Sequence, residues 1–201
     1  MSKEDRKSKP MPKEWLEDIK KAVEVMQRGG IIVYPTDTIW GIGCDATNEE
    51  SVKRIYDIKK RAEGKALVVL VDSEVKIESH IKEVPDVAWQ LIEVAVRPLT
   101  LVLDGARGLA SNLPASDGSV AIRLTNEAFS KELCRRMKRP LVSTSANISG
   151  EKAPGNFADI SEEIKAAVDY VCTSRREEKG DGCASSIIKL CSDGQISIIR
   201  E

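Results

Sequence analysis

The chain has 201 residues, with 31 Lys and Arg residues against 32 Asp and Glu residues, so its net charge is close to zero. A dedicated nucleic-acid-binding protein usually carries a clear basic excess, so these totals argue against that class while leaving room for a local basic patch. Hydrophobic residues make up 41% of the chain, and its length suits one domain with a substantial core.

The N-terminus and the reactive side chains narrow the class further. Residues 1–13 are polar and lysine-rich, which predicts a flexible arm ahead of a single domain over 14–201 and not a secretory signal. No apolar run approaches the roughly 20 residues that cross a bilayer, so we expect a cytoplasmic protein without membrane contact. The five cysteines show no Cys-x-x-Cys spacing, and the single histidine, His80, argues against a Ser-His-Asp triad or a histidine-based metal site.

Apolar periodicity and turn residues predict alternating helices and strands, and hence an α/β domain. The predicted elements, in chain order, are a helix with its apolar face at 16–26, a strand at 31–34, a helix opened by the capping-box spacing of 47–50, a buried strand at 67–71, a helix after Pro85, strands at 99–103 and 120–124, a helix at 129–137, a strand at 140–142, a helix at 160–168, a short strand at 170–172 and a strand pair at 186–190 and 196–200. The charged segment 174–182 predicts a mobile loop.

Two upstream segments are candidates for ligand binding. The residues Thr36, Asp37 and Thr38 follow a predicted strand, and strand ends are common ligand sites in open α/β sheets. An ordinary turn is the alternative. Lys59 and Arg61 lie at the predicted end of a helix, where they either clamp a phosphate group or form a solvated basic cap that favours the helix dipole.

Downstream, polar residues follow or interrupt predicted strands. Arg123 interrupts an apolar strand and needs either an anionic partner or solvent. The hydroxyl-rich run 143–150 contains Ser143, Ser145 and Asn147, which predicts a polar floor for a small charged ligand, with a simple loop or helix cap as the alternative. It lacks the glycine spacing of a phosphate-binding P-loop.

Five segments, in order, resemble the YrdC-like family, the L-threonylcarbamoyladenylate synthases. They are 34–43 (YPTDTIWGIG), 59–61 (KKR), 98–103 (PLTLVL), 120–123 (VAIR) and 143–150 (STSANISG). The resemblance implies a single domain of the short type, without a further C-terminal domain, whose twisted mixed sheet, flanked by helices, forms a concave central cleft. The sequence departs from the family pattern at Ala62 and Ala66, where proline is common, and at Leu70, where a polar residue can occur.

The resemblance also implies a reaction, in which L-threonine, bicarbonate and ATP give L-threonylcarbamoyl-AMP and pyrophosphate for the modification of adenosine 37 in tRNA. The implied ATP-binding residues are Lys59, Arg61, Ser145, Asn147 and Arg200. The implied threonine-binding residues are Thr36, Arg123, Ser143 and Ser185.

The implied chemistry needs no side-chain nucleophile. Mg²⁺ would arrive with ATP, without an assigned protein ligand, and most of the rate would come from positioning. A downstream threonylcarbamoyl transferase and direct RNA contact are further expected partners, and the loop 174–182 is a candidate lid. Two alternatives stay open, namely a non-catalytic RNA-binding module and carbamoyl-adenylate chemistry on another substrate, as in hydrogenase-maturation carbamoyltransferases.

Overall fold

The computed structural model describes residues 10–63, 66–178, 184–191 and 194–201. The described helices are α1 (Lys13–Gln27), α2 (Glu49–Ile58), α3 (Glu74–His80), α4 (Asp86–Val94), α5 (Ala128–Met137) and α6 (Glu162–Ala167), with a short 3-10 helix at Phe157–Asp159. The described strands are β1 (Ile32–Tyr34), β2 (Gly41–Asp45), β3 (Val68–Val71), β4 (Leu99–Leu103), β5 (Val120–Leu124), β6 (Leu141–Ser145), β7 (Tyr170–Val171), β8 (Ser186–Leu190) and β9 (Ile196–Arg200).

The nine described strands form one twisted mixed sheet in the order β7-β1-β2-β6-β3-β5-β4-β8-β9. Its central strand pairs, β3 with β5 and β3 with β6, are parallel and antiparallel respectively. Helices α1, α2, α3 and α5 pack against strands of this sheet. The expected α/β class, with a mixed sheet and flanking helices, is therefore confirmed.

One face of the sheet is apolar and buried. Directly opposed residues on paired strands point to the same side, so the register identifies each face. A continuous row across five strands consists of Cys44, Val142, Val69, Ile122 and Leu101. Each of these residues is at most 2% exposed, so this face belongs to the hydrophobic core.

The opposite face carries polar side chains near the middle of the sheet. Ser143 opposes Val68, and Arg123 lies on the same face two residues beyond Ala121, the partner of Val68 on β5. Arg200 reaches this face from the last strand, where it opposes Ile187. Arg123 from the middle of the chain and Arg200 from the last strand therefore lie over the same surface of the sheet.

Most predicted elements are confirmed, and β4 and β5 occupy the residues expected for them. Among the described elements, β2, α3 and the short 3-10 helix have no counterpart in the sequence prediction. β2 is fully buried but contains Gly41 and Gly43, whose missing side chains hide the strand pattern. α3 has only seven residues, too few for a clear helical period.

The start of α2 corrects the predicted capping box. The N-cap is Asn48, whose side chain accepts a hydrogen bond from the Ser51 backbone N–H at 3.0 Å. The Thr47 hydroxyl instead donates to Asp45 Oδ1 at 2.7 Å. The helix forms as predicted, but one residue later, because Asp45 competes for the threonine hydroxyl.

Two further boundaries differ from the prediction. The strand expected to end at Val142 continues as β6 through Ser145. It does so because β6 pairs with the whole of β2, and Ser145 lies opposite Gly41. The late helix expected over 160–168 spans only Glu162–Ala167, because the Ser161 hydroxyl caps it by accepting from the Ile164 N–H at 3.3 Å.

The expected terminal arm and the expected loop lie partly outside the described residues, which exclude 1–9 and 179–183. α1 begins at Lys13, directly after Pro12. In the described part of the loop, Arg175 forms a 2.9 Å ion pair with Glu127 and the Arg176 guanidinium lies over the Phe157 ring. Among the described helices, none combines the length and apolar character needed to cross a bilayer.

Gly43 is required by close packing. A Cβ atom at this position would lie 2.8 Å from Cε1 of Tyr34 and 2.8 Å from the Val142 carbonyl oxygen. We expect Gly43→Ala to lower the free energy of unfolding by about 1–3 kcal/mol, because the backbone oxygen cannot move aside cheaply. Denaturant unfolding measures the change.

The control for this prediction is Gly155→Ala. The added Cβ there meets only an ordinary contact, 3.5 Å from Asp159 Oδ2. We expect this variant to stay within about 0.5 kcal/mol of wild type. Equal stability of the two variants would contradict the packing role of Gly43.

Candidate active site

A cleft of about 250 Å³ lies on the polar face of the sheet. Its described lining residues are Thr36, Thr38, Ile39, Gly41, Arg61, Ala66, Val68, Arg123, Ser143, Thr144, Ser145, Ala153, Ala184, Ser185, Ile187 and Arg200. Three arginines and several hydroxyl groups stand among them, and none of these lining residues is acidic. The surface is therefore suited to an anionic ligand with several oxygen acceptors.

Arg123 has a carboxylate partner at the edge of the cleft. Its Nη2 atom lies 3.1 Å from Asp37 Oδ1, and its Nη1 donates weakly to the Thr38 hydroxyl at 3.5 Å. The residue is 5% exposed, so it is not the solvent-facing side chain of an alternating strand. Its Nε–H has no hydrogen-bond acceptor among the described residues. A buried guanidinium with unused donors is well placed to receive an anion.

Arg200 belongs to the same electropositive surface. Its Nε and Nη2 atoms donate to the Ser185 carbonyl oxygen at 2.9 and 2.7 Å. Burial, together with the positive charge of Arg123, lowers the pKa of Arg200 from its ordinary value. The two guanidinium groups thus repel each other, and an anion between them would relieve that repulsion.

The hydroxyl groups of the cleft differ in their freedom to bind a ligand. The Thr36 hydroxyl donates to the Ile39 carbonyl oxygen at 2.6 Å and accepts from the Thr38 N–H at 3.1 Å, so it stabilises its own loop. The Ser185 hydroxyl lies 2.8 Å from the Thr100 hydroxyl. Thr36 and Ser185 are therefore held in fixed orientations by neighbours before any ligand arrives.

The end of α2 places Lys59 and Arg61, the two basic residues of the Lys-x-Arg segment, in different environments. The Arg61 N–H donates to the Tyr56 carbonyl at 2.9 Å and the Lys60 N–H to the Asp57 carbonyl at 3.0 Å, which is the Schellman pattern. Lys60 takes a left-handed conformation with φ of 49°. This step turns the chain so that Lys59 is buried while Arg61 lines the cleft.

Lys59 connects α2 to the end of β6. Its ammonium group donates to the carbonyl oxygens of Ser145 and Asn147 at 2.6 and 2.7 Å. The Asn147 amide donates in turn to the Glu151 carbonyl at 2.7 Å. Lys59 and Asn147 are absent from the described lining of the cleft. Lys59 and Asn147 instead stabilise the turn behind the cleft. The solvated basic residue of the Lys-x-Arg segment is Lys60, which pairs with Glu163 at 2.9 Å.

Seven of the nine predicted site residues line the cleft, and the exceptions are Lys59 and Asn147. ATP contact by these two residues stays a prediction. Sequence reasoning missed Tyr34, whose hydroxyl donates to Ser143 at 2.7 Å, and Thr100 behind Ser185. Both stand in segments that resemble the family, 34–43 and 98–103, but each is a lone hydroxyl in an apolar strand pattern, which does not indicate its hydrogen-bond partner.

The described part of the cleft contains no carboxylate for a metal ion. Its described lining residues carry hydroxyl, guanidinium, backbone and apolar groups, whereas the protein ligand that Mg²⁺ most often uses is a carboxylate. Across the described residues, no group of three or more His, Cys, Asp or Glu side chains is arranged to hold a metal ion.

Comparison with known proteins identifies the family. The Sua5_yciO_yrdC family model, described as telomere recombination, matches residues 24–201. The chain belongs to the Sua5/YciO/YrdC family. A member from Pseudoalteromonas translucida named threonylcarbamoyl-AMP synthase is 28% identical over 87% of this chain and 94% of its own length. One from Vibrio cholerae with the same name is 31% identical over 69% of this chain and 75% of its own length.

Solved structures of family members agree with the fold. P. abyssi Sua5 in a complex with L-threonine is 28% identical with a TM-score of 0.79, covering 90% of this chain and 52% of that one. A second P. abyssi Sua5 structure, a double variant, has a TM-score of 0.84 and 27% identity over 94% of this chain and 57% of that one. This chain therefore spans a little over half the length of Sua5. E. coli YciO, at 22% identity and a TM-score of 0.80 over 95% of this chain and 91% of its own, shares the fold.

Removing the Lys59 ammonium should destabilise the protein. Lys59→Met leaves two carbonyl oxygens without their buried donor, so we expect the free energy of unfolding to fall by about 2–4 kcal/mol. Denaturant unfolding measures this fall. Lys60→Met is the matched control, because Lys60 forms only an exposed ion pair, and an equal loss in both variants would refute the anchoring role.

The stability contribution of Lys59 should depend on pH. Burial, aided by the charge of Arg61, lowers the pKa of Lys59 from 10.5 to about 8. Between these two values the unfolded chain binds more protons than the folded one, so stability rises with pH through that window. We expect the stability gap between wild type and Lys59→Met to widen from about pH 7 to about pH 9.5. A gap that narrows would contradict the lowered pKa.

Proposed function

We propose that this protein is a threonylcarbamoyl-AMP synthase. It joins L-threonine, bicarbonate and ATP to form L-threonylcarbamoyl-AMP and pyrophosphate, and a separate transferase uses the product to modify adenosine 37 in tRNA. The observation that carries the proposal is the convergence of Arg61, Arg123 and Arg200 on a hydroxyl-lined cleft whose described lining residues include no carboxylate. A family member solved with L-threonine and others named for this activity support it.

The proposed reaction has two bond-forming steps. Bicarbonate takes up a proton, and its C–OH bond breaks to release water and carbon dioxide; the threonine amine attacks this carbon dioxide and loses a proton, which gives a carbamate. A carbamate oxygen then bonds to the α-phosphorus of ATP, and the bond from that phosphorus to the bridging oxygen breaks as pyrophosphate leaves. Both nucleophiles come from the substrates, so the protein holds three reactants together and stabilises the charge on the phosphates.

The arginines divide this task by position. Arg61 and Arg200 bind phosphate oxygens of ATP, with the hydroxyl of Ser145 near them. Arg123 binds the threonine carboxylate, close to Thr36, Ser143 and Ser185. Mg²⁺ would enter as part of the ATP substrate and would neutralise phosphate charge.

A direct test follows pyrophosphate release by the purified protein while each substrate is omitted in turn. We expect release to require ATP, threonine and bicarbonate together, with threonylcarbamoyl-AMP found by mass spectrometry. Release driven by another amino acid in preference to threonine would indicate carbamoyl-adenylate chemistry on a different substrate. Salt-sensitive RNA binding without turnover would favour the RNA-binding alternative.

The role of Arg61 gives a sharper prediction. Arg61→Gln should raise the KM for ATP by about 10-fold or more, because charge-assisted hydrogen bonds to phosphate are lost. The KM for threonine should change by less than about 3-fold, since another arginine binds that substrate. Steady-state kinetics with each substrate varied in turn measures the two effects.

Arg54→Gln is the matched control for this variant. Arg54 lies on α2, the helix that precedes Arg61, forms a 3.0 Å surface ion pair with Asp169 and is absent from the described cleft lining. It should leave both KM values unchanged. An Arg61→Gln variant that behaves like this control would remove Arg61 from the ATP site.

A further inference from the structure

Tyr34 reaches a cleft residue from two strands away. It lies on β1, where it opposes Gly41 of β2, and its fully buried hydroxyl donates to Ser143 Oγ of β6 at 2.7 Å. The ring crosses β2 over its two glycines, since a Cβ at Gly41 or Gly43 would come within 3.4 or 2.8 Å of ring atom Cε1. The side-chain-free surface of β2 is what allows this contact.

This contact determines which way the Ser143 hydroxyl can act. A serine hydroxyl has one hydrogen to donate and two lone pairs that accept. Tyr34 occupies one lone pair, so the serine hydrogen points elsewhere. Among the described residues the Ser143 side chain has no other hydrogen-bond partner, and Ser143 lines the cleft. Its hydrogen is therefore available to a bound ligand.

The direction of the hydrogen bond has a physical reason. A phenol is a stronger donor than an aliphatic alcohol, so the tyrosine donates and the serine accepts. Burial raises the pKa of Tyr34 above its usual value, which keeps the phenol protonated at all ordinary pH values. Thr36 behaves differently, because its own hydrogen is already donated to the Ile39 carbonyl oxygen.

We infer that Tyr34 is a positioning residue that commits Ser143 to donate a hydrogen bond to an oxygen atom of the amino-acid substrate. The acceptor belongs to the carboxylate or to the carbamate formed from the amine. This inference rests on the proposed function and adds to it a specific role for a buried residue that never touches the substrate.

The test is a double-mutant cycle on the KM for threonine. Tyr34→Phe removes one oxygen atom and keeps the ring in its place over the glycines. We expect it to raise the KM for threonine by about 3–10-fold, with the KM for ATP unchanged within about 2-fold. In a Ser143→Ala background, Tyr34→Phe should have no further effect on the KM for threonine, because its influence passes through Ser143.

Tyr170→Phe is the control, because Tyr170 donates to Asp18 at 2.6 Å and is absent from the described cleft lining. It should leave both KM values unchanged. Equal effects of Tyr34→Phe with and without Ser143 would reveal a merely structural role and overturn the inference, as would a normal KM for threonine in Tyr34→Phe.

Two further outcomes are decisive. A Ser143→Ala variant with a normal KM for threonine would overturn the inference. This outcome applies even if Tyr34→Phe fails to fold, and thermal unfolding measures whether Tyr34→Phe is folded. Wild-type protein without threonine-dependent turnover would instead refute the proposed function itself, before any variant is compared.

Discussion

The buried ammonium group of Lys59 joins two parts of the chain that must meet for a cleft to exist. It bonds to the Ser145 and Asn147 carbonyl oxygens, 86 and 88 positions later in the sequence. Burying a charge is unfavourable unless strong acceptors surround it, and two carbonyls at short distance offset part of that cost. Because Lys59 faces inward, the left-handed turn at Lys60 brings Arg61 outward into the cleft. The Lys-x-Arg spacing thus combines a buried anchor with a cation that lines the cleft.

The register of the sheet is the second feature that builds the cleft. One face is a continuous apolar row, and the other presents serine and arginine side chains from β6, β5 and β9. Glycines on β2 leave this second face open enough for the Tyr34 ring to lie across it. The glycines of β2 therefore allow Tyr34 to orient the Ser143 hydroxyl on the neighbouring strand β6. Packing and hydrogen bonding in the site thus depend on each other.

Charge gives the cleft its chemical character. Three arginines line it, while Asp37 meets Arg123 only at its edge. The guanidinium groups of Arg123 and Arg200 disfavour one another, so an anion bound between them would relieve their repulsion. A near-neutral chain can in this way carry a strongly cationic site, because the balance of charge over the whole sequence says nothing about its local distribution.

The sequence by itself determined the α/β class and the position of most strands and helices, and its resemblance to a known family added seven residues of the cleft. Apolar runs such as that of β5 are read directly from their local pattern, and an arginine within such a run stands out. Only the tertiary structure decided that Lys59 anchors a turn while Arg61 lines the cleft, because that difference comes from a left-handed step and a distant pair of carbonyls. The same holds for Tyr34, whose role depends on a strand lined with glycines and on a serine 109 positions away. Long-range hydrogen bonds of this kind leave no periodic trace in the chain, so no local pattern can reveal them.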